Sequence, residues 1–347
     1  NTVDPSNCLY QVAFSCVLVS GRIDKYPSSE RLSFDEEEEE LSLQYKNKAT
    51  YAVGHGCASN WSVCSSGSIV VKTEVLPTTE VKPVTTTIES LSNDALSLQV
   101  LSDTRFEKEE LISLLSSFVD GYERWYVDLV KETVPLGYEK ASKRILARIA
   151  VSIDRMRQGI RVIDNDSEVR RAFQMANQAM LMQMIHSRIE YGGGLLIRGE
   201  KQYSQPDYYS DDYSESWRPF QLAYQLLSLE STVNLNSEHR DTVDLLWFPT
   251  GGGKTEAYLA LAAFELIYRR IRYGEDGAGT AVIKRYTLRL LTTQQFQRAA
   301  TLICALEIMR RENPSLLGLS PFRLGLWVGE ASSPNRFTYE SEHAKGA

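Results

Sequence analysis

The sequence predicts an α/β protein in three successive parts: a β-rich region at 1–98, a helical region at 99–200 and, after a linker at 201–216, the first part of a parallel-sheet domain at 217–347. Alternating apolar residues, apolar residues at helical spacing, and short apolar segments between long amphipathic ones carry this prediction. The 347 residues allow two or three domains. With 43% hydrophobic and 24% charged residues, the composition excludes a disordered or collagen-like chain.

The N-terminal region has the pattern of short strands. Residues 9–19 are rich in Val, Phe and Tyr, and residues 68–76 alternate at the period of a half-buried strand. We expect the acidic run at 35–40 to form a solvated loop. The Gly-His-Gly-Cys sequence at 54–57 places a Cys close to a His, but a catalytic Cys–His pair depends on spatial rather than sequential adjacency. We therefore predict a tight turn with a buried thiol.

The middle of the chain has helical periodicity. Thr104 and Glu107 form a capping box before a first helix, and two further helices are predicted over 138–158, ending at Gly159, and over 167–188. Clustered methionines in the third helix favour core packing over a ligand groove. The linker combines tyrosines with acidic residues. This composition fits a surface loop or, alternatively, a segment that mimics nucleic acid and occupies a binding groove.

The C-terminal region alternates between strand and helix patterns. Short apolar segments separated by long helices predict a parallel sheet covered on both faces. We predict strands at 243–248, 280–286 and 323–328, and helices at 254–272 and 292–311.

A glycine run lies between the first of these strands and its helix. In this context the glycines let backbone N–H groups surround a phosphate group, and the helix N-terminus adds partial positive charge. The expected cofactor-binding residues of this loop are Pro249, Thr250, Gly251, Gly252, Gly253, Lys254 and Thr255. Lys254 and Thr255 are also the catalytic candidates, since Lys254 would reach the β- and γ-phosphates of ATP and the Thr255 hydroxyl would bind Mg²⁺.

The loop resembles the Pro-Thr-Gly-Gly-Gly-Lys form found in superfamily 2 helicases, which implies a RecA-like motor domain. Upstream, Trp-Arg-Pro-Phe-Gln at 217–221 resembles the Q-motif of those enzymes. Gln221 would then bind the adenine edge, because an amide offers both a donor and an acceptor. The alternative for Gln221 is an ordinary residue on the surface of a helix.

Downstream, residues 284–295 resemble helicase motif Ia, a strand-to-helix turn that binds the nucleic-acid backbone. The candidate contacts are Arg285, Thr287, Arg289 and Gln294. For Arg285, a solvated position is an equal alternative. The net charge of the chain is −7, yet residues 269–311 contain nine Lys or Arg and three Asp or Glu residues. This local excess of basic residues fits DNA binding.

Several longer stretches of the chain carry a further resemblance; they lie at 51–57, 172–177, 217–223, 244–257, 285–291, 325–329 and 333–335. Together they resemble the helicase subunits of the DISARM anti-phage systems of bacteria. This resemblance implies an ATP-driven DNA helicase or translocase that uses ATP and Mg²⁺, contacts DNA and works with a DrmB-like partner subunit.

Two parts of such a motor have no counterpart in the sequence. After the loop no apolar strand ends in an Asp-Glu pair, and a second motor domain is absent. We therefore expect the N-terminal portion of a longer protein, which alone lacks ATPase activity. The alternative is a non-motor nucleotide-binding scaffold whose N-terminal domains mediate protein interactions. A small-molecule kinase is disfavoured, because it has no need of the basic turn.

Cysteine usage and hydropathy indicate location. The five cysteines are odd in number and widely spaced, which argues against a disulfide framework and favours reduced thiols. No apolar run reaches the ~18 residues of a membrane span, and no signal peptide opens the chain. We expect a cytoplasmic protein that does not contact membranes.

Overall fold

The computed structural model describes residues 12–18, 20–26, 35–64, 68–78, 88, 93–188, 205–248, 251–285 and 289–327, with the side chains of the last range from 294 onward. The chain divides into two compact units. Unit 1 comprises Asn1–Thr85 with Asp128–Ile149, and unit 2 comprises Thr86–Val127 with Ala150–Ala347.

Unit 1 contains a three-stranded antiparallel sheet. Its strands are β1 (Ser15–Val17), β2 (Ala58–Val63) and β3 (Ile69–Glu74), in the order β1-β3-β2. Val71 of β3 lies opposite Cys16 on one side and Trp61 on the other. Strands β1 and β3 fall within the segments that the sequence pattern predicts.

The acidic run forms a helix, α1 (Glu36–Gln44), so the prediction of a loop is wrong. The Asp35 side chain accepts a hydrogen bond from the Glu37 backbone N–H at 3.0 Å, which caps the helix. Glutamates in the first turn also interact favourably with the helix dipole. Glu40 is buried and accepts a hydrogen bond from Nε of Arg144 at 2.7 Å, and this bond holds the pKa of Glu40 below its usual value.

The predicted turn at 54–57 is present, but its thiol is not buried. A Cβ on Gly54 would lie 2.0 Å from the Cys57 carbonyl oxygen, and Gly56 has a φ of +75°. Cys57 itself is exposed, as are Cys64 and Cys304. A tight turn at the surface leaves this side chain without a core to enter.

Unit 2 is mainly helical. The helices after α1 are α2 (Leu98–Ser102), α3 (Lys108–Lys131), α4 (Glu139–Asn165), α5 (Ser167–His186), α6 (Pro219–Val233), α7 (Lys254–Tyr273), α8 (Arg289–Glu312) and α9 (Pro314–Leu317), of which α3 and α4 contribute residues to both units. Helix α5 is buried along most of its length and packs against α2, α7 and α8. Met175, Met180 and Met182 lie in this core, which confirms that these methionines pack rather than line a groove.

Helix α4 continues beyond Gly159 to Asn165, so the predicted end of that helix is wrong. A Cβ at Gly159 would lie 1.9 Å from the Leu226 carbonyl oxygen of α6. The glycine therefore serves close packing between α4 and α6 rather than helix termination. One turn earlier, the buried Arg155 makes two hydrogen bonds to the Asp244 carboxylate, at 2.5 and 2.8 Å.

The three predicted strands of the C-terminal region are not formed. Within the described residues, 243–248, 280–285 and 323–327 belong to no strand. Their apolar side chains remain largely exposed: Val243, Leu245, Trp247, Ile283 and Trp327. An apolar segment indicates that its burial would be favourable, but a strand also requires a neighbouring backbone with which to form hydrogen bonds. The α/β class thus holds, whereas a RecA-like sheet stays a prediction.

The described part of the linker is anchored to the core through Tyr208, whereas most of its other residues are exposed, as in the predicted surface loop. The Gln99 side-chain amide donates to the carbonyl oxygens of Tyr208 and Ser210, both at 3.0 Å. Tyr208 is buried, and its hydroxyl lies 2.8 Å from Nε2 of His186. The prediction of a plain surface loop is therefore wrong for Tyr208, because its ring completes the core near the end of α5.

The contact at Gly159 gives a test of helix packing. Gly159→Ala forces α4 away from the Leu226 carbonyl and should lower the free energy of unfolding by about 1–3 kcal/mol, as other overpacked sites do. In α3, a Cβ at Gly121 would meet only the flexible end of Arg124, at 3.7 Å. Gly121→Ala should therefore raise the free energy of unfolding by roughly 0.5–1 kcal/mol.

Urea denaturation of both variants measures these two changes in the free energy of unfolding. Equal changes in the two proteins would contradict the close approach at Gly159.

Candidate functional site

The glycine loop leads directly into α7, as the sequence predicts. Gly251 and Gly253 have φ angles of +79° and +84°, which residues with a Cβ adopt only under strain. Gly253 is the N-cap of the helix. The backbone N–H groups of a first helical turn lack intrahelical partners and attract anions. Pro249 and Thr250 lie outside the described residues.

Lys254 occupies the first position of α7. Its ammonium group donates to the Phe248 carbonyl oxygen at 2.5 Å, which brings the side chain back across the loop. The Phe248 ring stacks on Phe220 of α6, with ring centroids 3.9 Å apart. Lys254 thus lies beside the loop, where a phosphate oxygen could replace the carbonyl oxygen.

Gln221 is buried, so the alternative of an ordinary surface residue is wrong. Its Oε1 accepts a hydrogen bond from the Arg218 backbone N–H at 2.7 Å. Its Nε2 donates to the Gly253 carbonyl oxygen, also at 2.7 Å. The amide therefore joins the beginning of α6 to the last glycine of the loop. Adenine binding by Gln221 stays a prediction.

Thr255 belongs to a small polar cluster. The Gln295 Oε1 atom accepts hydrogen bonds from the hydroxyls of Thr255 and Tyr258 and from the ammonium of Lys284, each at 3.2 Å. The Tyr258 hydroxyl oxygen also lies 3.0 Å from the Thr255 hydroxyl oxygen. The cluster joins α7 to α8 at the level of the loop.

Lys284 has an altered pKa. The side chain as a whole is exposed, but its ammonium end lies 4.8 Å from the centre of the Tyr258 ring. Burial of this end, with a smaller effect from the positive charge of Arg298, lowers the pKa of Lys284 to about 8. Glu256 acts in the opposite direction.

The predicted nucleic-acid contacts lie only partly within the described residues. Arg285 and Gln294 are exposed. Arg289 is the first residue of α8, and its side chain, like the whole of Thr287, lies outside the described residues. Their role in DNA binding stays a prediction. Arg298, further along α8, forms an ion pair with Glu256 at 2.8 Å.

Sequence reasoning missed several residues around the loop. Gln295 lies inside the motif Ia-like segment, but the motif pointed to its neighbour Gln294 as the candidate DNA contact. Tyr258 gave no signal, because an aromatic residue in an amphipathic helix normally indicates packing. Lys284 begins the motif Ia-like segment, and Asp244 begins the DISARM-like stretch at 244–257. Nothing in the sequence indicates that Lys284 contacts Tyr258 or that Asp244 bonds to Arg155.

The residues present fit nucleotide phosphates and a magnesium ion. The positive-φ glycines and the start of α7 leave room for backbone to approach an anion. Mg²⁺ commonly takes one or two protein oxygens and completes its shell with water and phosphate. The Thr255 hydroxyl could supply one such oxygen. Across the described residues, no group of three or more His, Cys, Asp or Glu side chains could hold a metal ion by itself.

The loop and its helix define a candidate phosphate-binding loop of the nucleotide-binding type. No family model matches the sequence. The chain is 35% identical over 307 residues to the DISARM protein DrmA of Bacillus paralicheniformis (strain ATCC 9945a / NCIMB 11709 / CD-2). The match covers 84% of this chain and 26% of that protein, so the chain spans about a quarter of its relative's length. The resemblance expected from the motifs is thereby confirmed.

Among the helices that the structure describes, none combines the length and apolar character needed to cross a membrane.

The environment of Lys284 leads to a test by amine labelling. With a pKa of about 8, Lys284 should be half deprotonated near pH 8 and should react with acetic anhydride faster than an ordinary lysine. Arg298→Gln removes a positive charge and should raise this pKa, whereas Glu256→Gln should lower it.

Competitive labelling from pH 6 to 11, read by mass spectrometry, gives the midpoint for Lys284. A midpoint near 10.5 in the native protein would contradict the burial of the ammonium group.

Proposed function

We propose that this chain carries the nucleotide-binding part of an ATP-dependent DNA helicase or translocase that acts in a DISARM-type anti-phage system. The observation that carries the proposal is the loop at 251–253, which leads into α7 with two positive-φ glycines and is followed at once by Lys254 and Thr255. The helicase-like motifs around the loop and the similarity to DrmA support it.

Each loop residue has a definite task in this proposal. The backbone N–H groups of 251–253 and the start of α7 would bind the β- and γ-phosphates of ATP. Lys254 would exchange the Phe248 carbonyl for a phosphate oxygen and so neutralise negative charge. Thr255 would offer its hydroxyl to Mg²⁺, and the bound ion would neutralise charge on the transferring phosphoryl group. Gln221 would hold the loop and, in the motif-based assignment, the adenine edge.

DNA would be the second ligand. The exposed Arg285 and Gln294, together with Thr287 and Arg289, form the proposed backbone contact at the start of α8. Contacts of this kind position DNA without reading its sequence. A cytoplasmic location and a DrmB-like partner subunit complete the proposal by resemblance to DISARM helicases.

A non-motor nucleotide-binding scaffold is the second candidate. It is favoured by the surroundings of the Thr255 hydroxyl, which bonds to Gln295 and Tyr258. The described residues hold no acidic cluster suited to a metal. Such a site could bind nucleotide without hydrolysing it. DNA-stimulated phosphate release by the full-length protein separates the two candidates.

Lys254 provides the direct test of the loop. In the full-length protein, Lys254→Ala should lower ATP turnover by about 10²–10³-fold, the range seen when one electrostatic contact to the transition state is removed. Lys131→Ala is the control, because Lys131 is exposed on α3 and pairs with Asp128 there.

Phosphate release should stay near the native rate in the control. Native ATP turnover by the Lys254→Ala protein would contradict the assignment of the loop as a phosphate-binding site.

Arg289 provides the test of DNA binding. Arg289→Ala should weaken binding equally across DNA sequences and reduce the slope of log K against log salt by about 1, as expected for one phosphate contact. Arg311 is the control, since it lies in the last turn of the same helix and is exposed.

Fluorescence anisotropy with two unrelated oligonucleotides at several salt concentrations measures both effects. A loss restricted to one oligonucleotide, or an equal loss in Arg311→Ala, would contradict the proposed backbone contact.

A further inference from the structure

The Ala-Phe-Gln-Met-Ala-Asn segment at 172–177 contains a polar side chain in an apolar core. Asn177 of α5 is fully buried among methionines, alanines and Phe173. Burying an amide is unfavourable unless its hydrogen bonds are made. Its Nδ2 donates to the Phe173 carbonyl at 2.8 Å, one turn back in the same helix, and its Oδ1 accepts from the Trp217 indole at 2.7 Å.

Trp217 is fixed by two hydrogen bonds. Its ring is 1% exposed, its indole N–H reaches Asn177, and its backbone N–H donates to the Leu96 carbonyl at 2.8 Å. Both anchors belong to the helical part of unit 2. The next residue, Arg218, is the N-cap of α6. The position of Trp217 therefore determines where α6 begins.

The first turn of α6 transfers this position to the nucleotide loop. The Arg218 backbone N–H donates to Gln221, and Gln221 donates to the Gly253 carbonyl oxygen, both at 2.7 Å. Gly253 approaches this amide so closely that a Cβ there would lie 2.6 Å from Nε2. A path of hydrogen bonds and one peptide bond thus runs from the buried Asn177 of α5 to Gly253, the residue that precedes Lys254.

We propose that Asn177 and Trp217 are positioning residues for nucleotide binding, which act through Gln221 to hold Gly253 in the conformation that binds phosphate. This inference rests on the proposed function of the loop. Without the indole hydrogen bond, Trp217 keeps its backbone bond to Leu96 but loses its anchor to α5, so the start of α6 is held less firmly and Gln221 fixes the Gly253 carbonyl less well. The helical region then sets the affinity of the loop for nucleoside phosphates.

Trp217→Phe is the primary test, because it keeps an aromatic ring and removes only the N–H donor. In the full-length protein it should weaken binding of both AMP-PNP and ADP by about 5- to 10-fold, the effect of one net hydrogen bond. Gln221→Ala should weaken both ligands to a similar extent. Because the residues act in one path, the double variant Trp217→Phe/Gln221→Ala should bind no more weakly than Gln221→Ala alone.

Gln174→Leu is the matched control. Gln174 is buried on the same helix, one turn before Asn177, and its amide donates to the Asp103 carbonyl at 2.9 Å. This variant also removes a buried amide hydrogen bond, so its Tm should fall as it does in Trp217→Phe. Its affinity for both nucleotides should stay at the native value, because its bond does not lead to the loop.

A second variant guards against loss of folding. Asn177→Leu with Trp217→Phe removes both polar partners and leaves neither donor nor acceptor unsatisfied, so its stability should be largely restored. Its nucleotide affinity should remain 5- to 10-fold below the native value, because the fixed position is still lost.

Calorimetric titration with AMP-PNP and ADP, below the Tm of every variant, gives the result. Native affinity in Trp217→Phe or in the Asn177→Leu/Trp217→Phe protein, additive losses with Gln221→Ala, or an equal loss in Gln174→Leu would each overturn the positioning role. If the native protein binds neither nucleotide, or if Lys254→Ala binds them normally, the proposed function fails instead.

Discussion

The burial of α5 is the constraint on which the rest of unit 2 depends. A helix that is buried along most of its length must be surrounded, and α2, α7 and α8 provide the surrounding surfaces. Ala172, Ala176 and Ala179 allow neighbouring helices to approach closely. Because α7 starts at the glycine loop, packing against α5 fixes the direction of the very helix whose N-terminus would bind phosphate. The helical region and the loop therefore share one core.

Buried polar groups hold α7 at both ends. Gln221 bonds to the carbonyl of Gly253 at the start of the helix. Near its end, the buried Arg270 donates to the Ser320 carbonyl at 2.9 Å and lies over the Phe322 ring, and desolvation lowers the pKa of Arg270. Leaving such a group unbonded in a core is costly, so each of these hydrogen bonds favours one arrangement of the segments that it joins.

The success of sequence reasoning depended on whether the signal was local. The start of α7 followed from glycines and a helical pattern within twenty residues, and the methionine cluster of α5 followed from periodicity. Gly159 was misread because its partner, Leu226, is distant in sequence, and only the fold shows that the glycine permits contact. Gln295 and Tyr258 were missed for the same reason. At Asp35, the sequence carried a helix-capping signal that the charge of the following glutamates obscured.

Several apolar segments of unit 2 remain exposed to solvent. Side chains such as Leu245, Trp247 and Ile283 are mostly exposed, and burying a side chain of this kind stabilises a fold by about 1.5–3 kcal/mol. Burial of the apolar side chains at 243–248, 280–285 and 323–327 would therefore add stability. Yet the glycines already have their positive φ angles, and Gln221 already holds Gly253. Within the described residues, the side-chain hydrogen bond to Gly253 thus comes from helix α6.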